Sequence, residues 1–239
     1  MWLLLVAVNC QSIDHTNARS ADSGGGGTVD DPGVDSACSE AWAIDRGIGQ
    51  TWQWSVIDDC IDCFCSYSQT HQGLQDHDGE KLYRIDEAGT WGGEGLTITG
   101  TRTLWLRCDD DGIHLVADER QESHDDWSGD PVDYTWTTTW DPALDLLPRT
   151  LAVGDSWTWS AVRTVTGSPA PGLEPGEESF EGTAAVTALH DTDTFVGSLP
   201  AWRVEGLPQA MHLGTPDAWW SGAAGGPIAD GWHRLAATP

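Results

Sequence analysis

Three thiols stand together at Cys60-x-x-Cys63-x-Cys65, with His71 close behind. Thiolates at that spacing either grip a soft metal or oxidise to disulfides. Structural zinc sites usually combine two such clusters, and the chain has no second Cys or His cluster of suitable spacing. Disulfides are therefore the expected chemistry of Cys38, Cys60, Cys63, Cys65 and Cys108. Five is an odd number, so at least one thiol stays free or pairs with another molecule. Cys63 and Cys65 lie two apart on one strand face, which sets them badly to bond each other. Cys108 is expected to pair with one of them, and Cys38 with a partner in the 60–65 cluster.

Two acidic loops have the composition of a calcium site. Asp109, Asp111 and Asp118 partly match an EF-hand loop, but Arg107 stands where the first ligand belongs. The stretch 76–80, DHDGE, is shorter still. Hairpin turns account for both. The histidines are His15, His71, His77, His114, His124, His190, His212 and His233; none is paired at i, i+4. There is no nucleophile elbow, zincin helix, phosphate loop or dinucleotide fingerprint, and no cofactor is expected. A hydrolase would need a His/Asp site assembled in space.

Two Trp-x-Trp pairs, Trp52 with Trp54 and Trp157 with Trp159, each put two indoles on one strand face. Such faces suit core packing, which is the expectation, or stacking on sugar rings. The chain holds 15 Trp against three Phe, three Tyr and the single lysine Lys81. That skew matches the codon habit of a GC-rich genome, so the Trp count alone does not indicate glycan platforms.

The elements that must position these residues read as strands throughout. No window carries a helical apolar period of useful length. Alternating runs rich in Val, Ile, Thr and Trp predict strands near 50–57, 63–70, 80–86, 95–107, 112–119, 132–140, 155–166, 178–190, 194–205, 211–220 and 227–235. Asp78-Gly79 and Asp111-Gly112 predict two-residue hairpin turns, because both central positions take positive φ. A faint repeat aligns GQTWQWSV (49–56) with GDSWTWSA (154–161), and WLRCDDDG (105–112) with WWSGAAGG (219–226). The predicted fold is all-β with little helix: a curved antiparallel sheet or open half-barrel. Two related units, 41–145 and 146–239, would form one joint domain.

The formal charge of −27, from 38 acidic and 11 basic residues, repels phosphate backbones and argues against nucleic-acid binding. Residues 1–8, MWLLLVAV, form an apolar run that ends at Asn9 and Cys10. This resembles the signal of bacterial lipoproteins, in which the cysteine becomes a lipid-bearing N-terminus. The run is too short to span a bilayer. No basic residue precedes Arg19, so the native start is expected upstream. The alternative is an ordinary apolar N-terminus with a buried cysteine. In the lipoprotein reading, 1–9 is a signal remnant and 10–40 holds the lipidated Cys10 and a Gly/Ser/Asp-rich tether.

Three stretches resemble uncharacterised envelope lipoproteins with a curved LolA/LolB-like sheet. They are LPRTLAVGDSWTW (147–159), GSLPAWRVE (197–205) and WWSGAAGGPI (219–228) with Gly231-Trp232. Pro200 and Ile228-Ala229 depart from the pattern. The resemblance implies a fold and carries no functional residue. The expected protein is a non-enzymatic lipoprotein of the bacterial envelope, membrane-bound through its lipid, outside the cytoplasm and at the outer membrane. It would hold an apolar, glycan or protein ligand or serve a structural role. A carbohydrate-binding module using exposed Trp and a hydrolase are the alternatives.

Overall fold

The computed structural model describes residues 37–56, 64–93, 95–126, 129–208, 218–230 and 233–237. Twelve strands account for most of them: β1 (Thr51–Val56), β2 (Phe64–His77), β3 (Glu80–Gly93), β4 (Leu96–Cys108), β5 (Gly112–Asp125), β6 (Val132–Pro148), β7 (Ser156–Ser168), β8 (Gly176–Thr194), β9 (Gly197–Glu205), β10 (Ala218–Ser221), β11 (Gly226–Asp230) and β12 (His233–Ala237). Each strand pairs antiparallel with its neighbours in the chain. β1 also pairs with β12, so the sheet closes into an up-and-down barrel. The expected all-β curved antiparallel sheet is present, with no helix among the described residues. Its curvature carries the first and last strands together, which removes both open edges.

Several strands outrun their expected ends. β2, β3 and β5 continue to His77, Gly93 and Asp125. The extra lengths are mostly polar or glycine, with Leu74, Ala88 and Trp91 isolated among them, so the apolar alternation that marks a half-buried strand is missing there. The last expected strand, 227–235, is two strands, β11 and β12. Of the expected strand 211–220, only the part from Ala218 lies among the described residues. The Asp78-Gly79 turn is a two-residue hairpin: Asp78 has φ 51° and Gly79 φ 85°, and His77 pairs with Glu80. The second turn is longer than expected. Cys108 pairs with Ile113, and the Asp109 carboxylate accepts from the Asp111 and Gly112 N–H groups. That local bond closes a four-residue connection without a positive φ at Asp111.

The repeat spans six strands. Trp52 and Trp54 lie on β1, Trp157 and Trp159 on β7. Further on, Arg84 of β3 lies over Trp105 of β4 at 5.7 Å, and Arg203 of β9 lies over Trp219 of β10 at 5.3 Å. Each arginine also pairs with an acid two residues on, Asp86 and Glu205. The two halves nonetheless form one continuous sheet with one main apolar cluster.

The chain before β1 packs into that cluster. Cys38 and Ser39, at the end of the expected tether, are fully buried, as is Trp42. The Ala43 N–H donates to the Gly225 carbonyl at 3.2 Å, and the Leu151 N–H donates to Glu40 Oε1. The Trp42 ring lies 5.2 Å from Trp220, over Gly226, where a Cβ would meet the indole at 2.9 Å. Cys38 is joined to Cys108 at the end of β4. This corrects the expected partnership of Cys108 with Cys63 or Cys65. The segment 37–50 folds back on the barrel and brings Cys38 to β4, a return that strand spacing alone does not reveal. Cys10, Cys60 and Cys63 lie outside the described residues, as does the side chain of Cys65.

His71 is buried beneath the same segment, 4.2 Å from the Trp52 ring and 6.4 Å from Trp42. Neither ring nitrogen has a hydrogen-bond partner among the described residues. Burial lowers its pKa from 6.5 to about 4. The folded state therefore binds fewer protons than the unfolded chain between those values, and stability falls as pH drops from 6.5 towards 4. This costs roughly 3 kcal/mol at full extent. His71→Phe should flatten this acid-side loss in urea titrations run from pH 7 to pH 4. An unchanged pH slope would show that His71 is not its source.

Candidate ligand site inside the barrel

The inward positions of the central strands carry charge where a core would normally be apolar. Gln69 on β2, Glu87 on β3, Arg102 on β4 and Arg120 on β5 face one another in register. Gln69 donates to the Glu87 carboxylate at 2.8 Å. Arg102 lies between Glu87, at 3.6 Å, and Asp118, at 2.9 Å. Asp118 also receives the Arg120 Nε at 3.2 Å. Gln69, Glu87, Arg102 and Asp118 are all buried. On β4 the same inward phase runs Ile98, Gly100, Arg102, Leu104, while Thr99 and Thr101 face water.

The two carboxyls of this layer are shifted in opposite directions. Burial raises the Glu87 pKa, and Arg102 and Gln69 only partly offset it. Burial acts the same way on Asp118, but Arg102 and Arg120 together hold its carboxyl below the usual range. Burial and the nearby Arg102 charge lower the pKa of Arg120, against the opposing pull of Asp118, Glu122 and Glu87. A charge taken from water must be repaid by close, hydrogen-bonded partners, and Asp118 has two.

Beside the layer lies a cavity of about 230 Å³. Asp118, Arg120 and Arg163 supply its charged side, and Trp136, Trp140, Trp159 and Phe180 its rings. Trp140 meets Phe180 edge-on at 6.0 Å. Arg120 lies over Trp136 at 5.7 Å and Arg163 over Phe180 at 4.6 Å. Trp159 anchors its indole N–H on the Gly206 carbonyl at 3.1 Å. Its ring occupies the space above Gly182, its cross-strand partner, where a Cβ would sit 2.3 Å from the indole. Guanidinium over aromatic faces, beside buried N–H groups, makes a site for a flat molecule that brings hydrogen-bond acceptors.

A wider trough of about 830 Å³ crosses β1–β6. Exposed Ser66, Thr99, Thr101, Gln121 and Thr135 line it. These groups lie open to solvent, whereas the interior cavity is lined by residues with buried unpaired donors, so it makes the stronger site despite its smaller volume.

The other candidates fall elsewhere. Trp52 and Trp54 are buried, with indole N–H bonds to the Ala224 and Pro227 carbonyls. Trp157 and Trp159 are half-buried against the main cluster. Asp109 and Asp111 sit in the β4–β5 connection, whereas Asp118 is inside the barrel against two arginines, so the three are not brought together. No group of three or more metal-ligating side chains is arranged around a common point among the described residues. His114 is engaged at both ring nitrogens, by Asp145 at 2.7 Å and Asp109 at 3.0 Å. That leaves neither nitrogen to take a proton from a nucleophile.

Sequence reasoning passed over Arg102, Arg120, Arg163, Trp136 and Trp140. One signal was present on β4 and β7: Arg102 and Arg163 stand in the inward phase of strands whose alternate residues are mostly Thr or Ser. A cation in that phase demands a buried partner or a ligand. Fold and cavity together define a closed twelve-stranded up-and-down barrel with a charged interior layer beside an aromatic pocket. No known protein family, curated protein or solved structure matches the chain.

Proposed function

We propose that this protein is a non-enzymatic binding barrel, anchored by a lipid at Cys10 to the bacterial envelope, that holds a small ligand in its interior cavity. The observation that carries the reading is the pocket walled by Trp136, Trp140, Trp159 and Phe180 beside Arg120 and Arg163. Such a pocket offers apolar area to a ligand body and a few placed donors to orient it. The apolar run into Cys10 supports the anchor.

Two measurements test the two halves. Expressed with its native upstream sequence, the protein should carry a lipid mass at Cys10 and partition into detergent; Cys10→Ser should release it. An unlipidated, soluble native protein defeats the anchor. For the cavity, indole at millimolar concentration should shift the side-chain N–H resonances of Trp136, Trp140 and Trp159 in an NMR titration. Movement of Trp157 alone, produced by a methyl glycoside and not by indole, would favour the carbohydrate-binding alternative.

A further inference from the structure

We propose that the cavity selects a small carboxylate carried on an aromatic or apolar body, held by the Trp140 indole N–H and the Arg163 guanidinium; this rests on the ligand-holding reading above. Trp140 and Arg163 are direct partners across β6 and β7, so their side chains leave the sheet about 5 Å apart on the same inner face. Trp140 is 8% exposed, and its indole N–H has no acceptor among the described residues. Arg163 gives one terminal nitrogen to Glu178 at 2.7 Å and lays its plane over Phe180. Its Nε is buried and also lacks a partner among the described residues. Both residues line one pocket, and each carries a buried, unpaired donor.

Neither group can accept a hydrogen bond: the indole is donor-only, and the guanidinium carries donors and a permanent charge. What satisfies them must bring acceptors. A carboxylate does so with two oxygens and the charge that strengthens each bond. Asp118 does not oppose it, because Arg102 and Arg120 already neutralise that carboxylate. Glu178 is largely exposed and takes only the terminal Nη2 of Arg163, leaving Nε without a partner among the described residues. The rest of the pocket selects the body. Three indoles and one phenyl ring, closed by Leu173 and Pro208, favour a flat apolar frame. The volume, about 230 Å³, falls below the roughly 300–1,000 Å³ of sites for drug-sized ligands, which suits a single ring with a short acid group.

Calorimetric titration of the full chain with benzoate, benzamide and indole tests this, with Trp140→Phe and Arg163→Gln as variants and thermal melts as folding controls. Benzoate should bind one to one and more tightly than benzamide. Each variant should lose about 10–100-fold in benzoate affinity, the worth of a hydrogen bond to a charged acceptor, and a smaller factor in indole affinity. Benzoate bound no better than benzamide, or equally well by folded variants, overturns the carboxylate assignment. Indole or benzamide binding with benzoate refused overturns it too, and leaves the ligand-holding reading standing. Refusal of all three probes by the folded wild-type chain overturns both.

Discussion

Asp118→Asn should destabilise the barrel by about 3–5 kcal/mol, the usual cost of removing one partner from a buried charge cluster. The substitution keeps the side-chain shape and deletes only the charge. It leaves Arg102 and Arg120 facing each other across β4 and β5, with Glu87 beside Arg102 and with Glu122, already bonded to His124, further along β5. Burial already raises the Glu87 pKa, so that carboxyl is a poor counter-charge. Two guanidiniums would then lie inside the protein without an adequate anion.

Glu87→Gln is the matched control. It preserves an acceptor for the Gln69 amide, which donates to Glu87 at 2.8 Å, and removes a carboxyl that burial penalises. Its effect at neutral pH should be near zero or slightly stabilising. The pH dependences have opposite signs. The depressed Asp118 pKa contributes stability that is lost as pH falls through its folded value. The raised Glu87 pKa contributes stability that is lost as pH rises through its folded value. Urea midpoints of the two variants from pH 2 to pH 8 separate the roles, because the Asp118 contribution fades only below its ordinary pKa of 3.8. Equal losses in both would mean that the layer acts through packing and not through the Asp118 charge.

The same charged layer explains which parts of the fold are visible in the amino-acid order. β4 and β7 are legible because small or apolar inward residues alternate with Thr and Ser: Ile98, Gly100 and Leu104 on one, Trp157, Trp159 and Ala161 on the other. The far ends of β3 and β5 are not. There Glu87, Arg120, Glu122 and His124 occupy inward positions, so both faces of the strand are mostly polar and the periodicity vanishes. What makes those strands worth closing into a barrel is pairing between distant residues, such as Arg102 with Asp118. Local pattern carries no trace of such pairs. The candidate site was hidden for the same reason. Trp140 and Arg163 become neighbours only through the β6–β7 register, whereas the Trp-x-Trp pairs announce themselves within three residues.

Removing the Cys38–Cys108 disulfide should cost about 4 kcal/mol, the chain-entropy value for a loop of this size; the two cysteines are 70 residues apart. The loss has a structural target. Cys38 ties down the segment that places Trp42 against Trp220 and covers His71. The remaining ties are the core packing of Trp42 and Ile44 and single hydrogen bonds, such as the Glu40 N–H to the Arg149 carbonyl at 2.9 Å and Ser39 Oγ to the Pro148 carbonyl at 2.9 Å. Each of these hydrogen bonds is worth about 1 kcal/mol net. In a Cys38→Ala/Cys108→Ala variant, amides of residues 39–49 should exchange faster than those of β3 to β6, and the urea midpoint should fall. Peptide mapping without reduction should recover Cys38 linked to Cys108 and not to the 60–65 cluster. Protein from its native compartment with Cys38 and Cys108 both free would remove the crosslink, and with it the support that a persistent disulfide lends to an oxidising, extracytoplasmic setting. A variant with unchanged midpoint and exchange would instead show that the Trp42 contacts alone secure the segment.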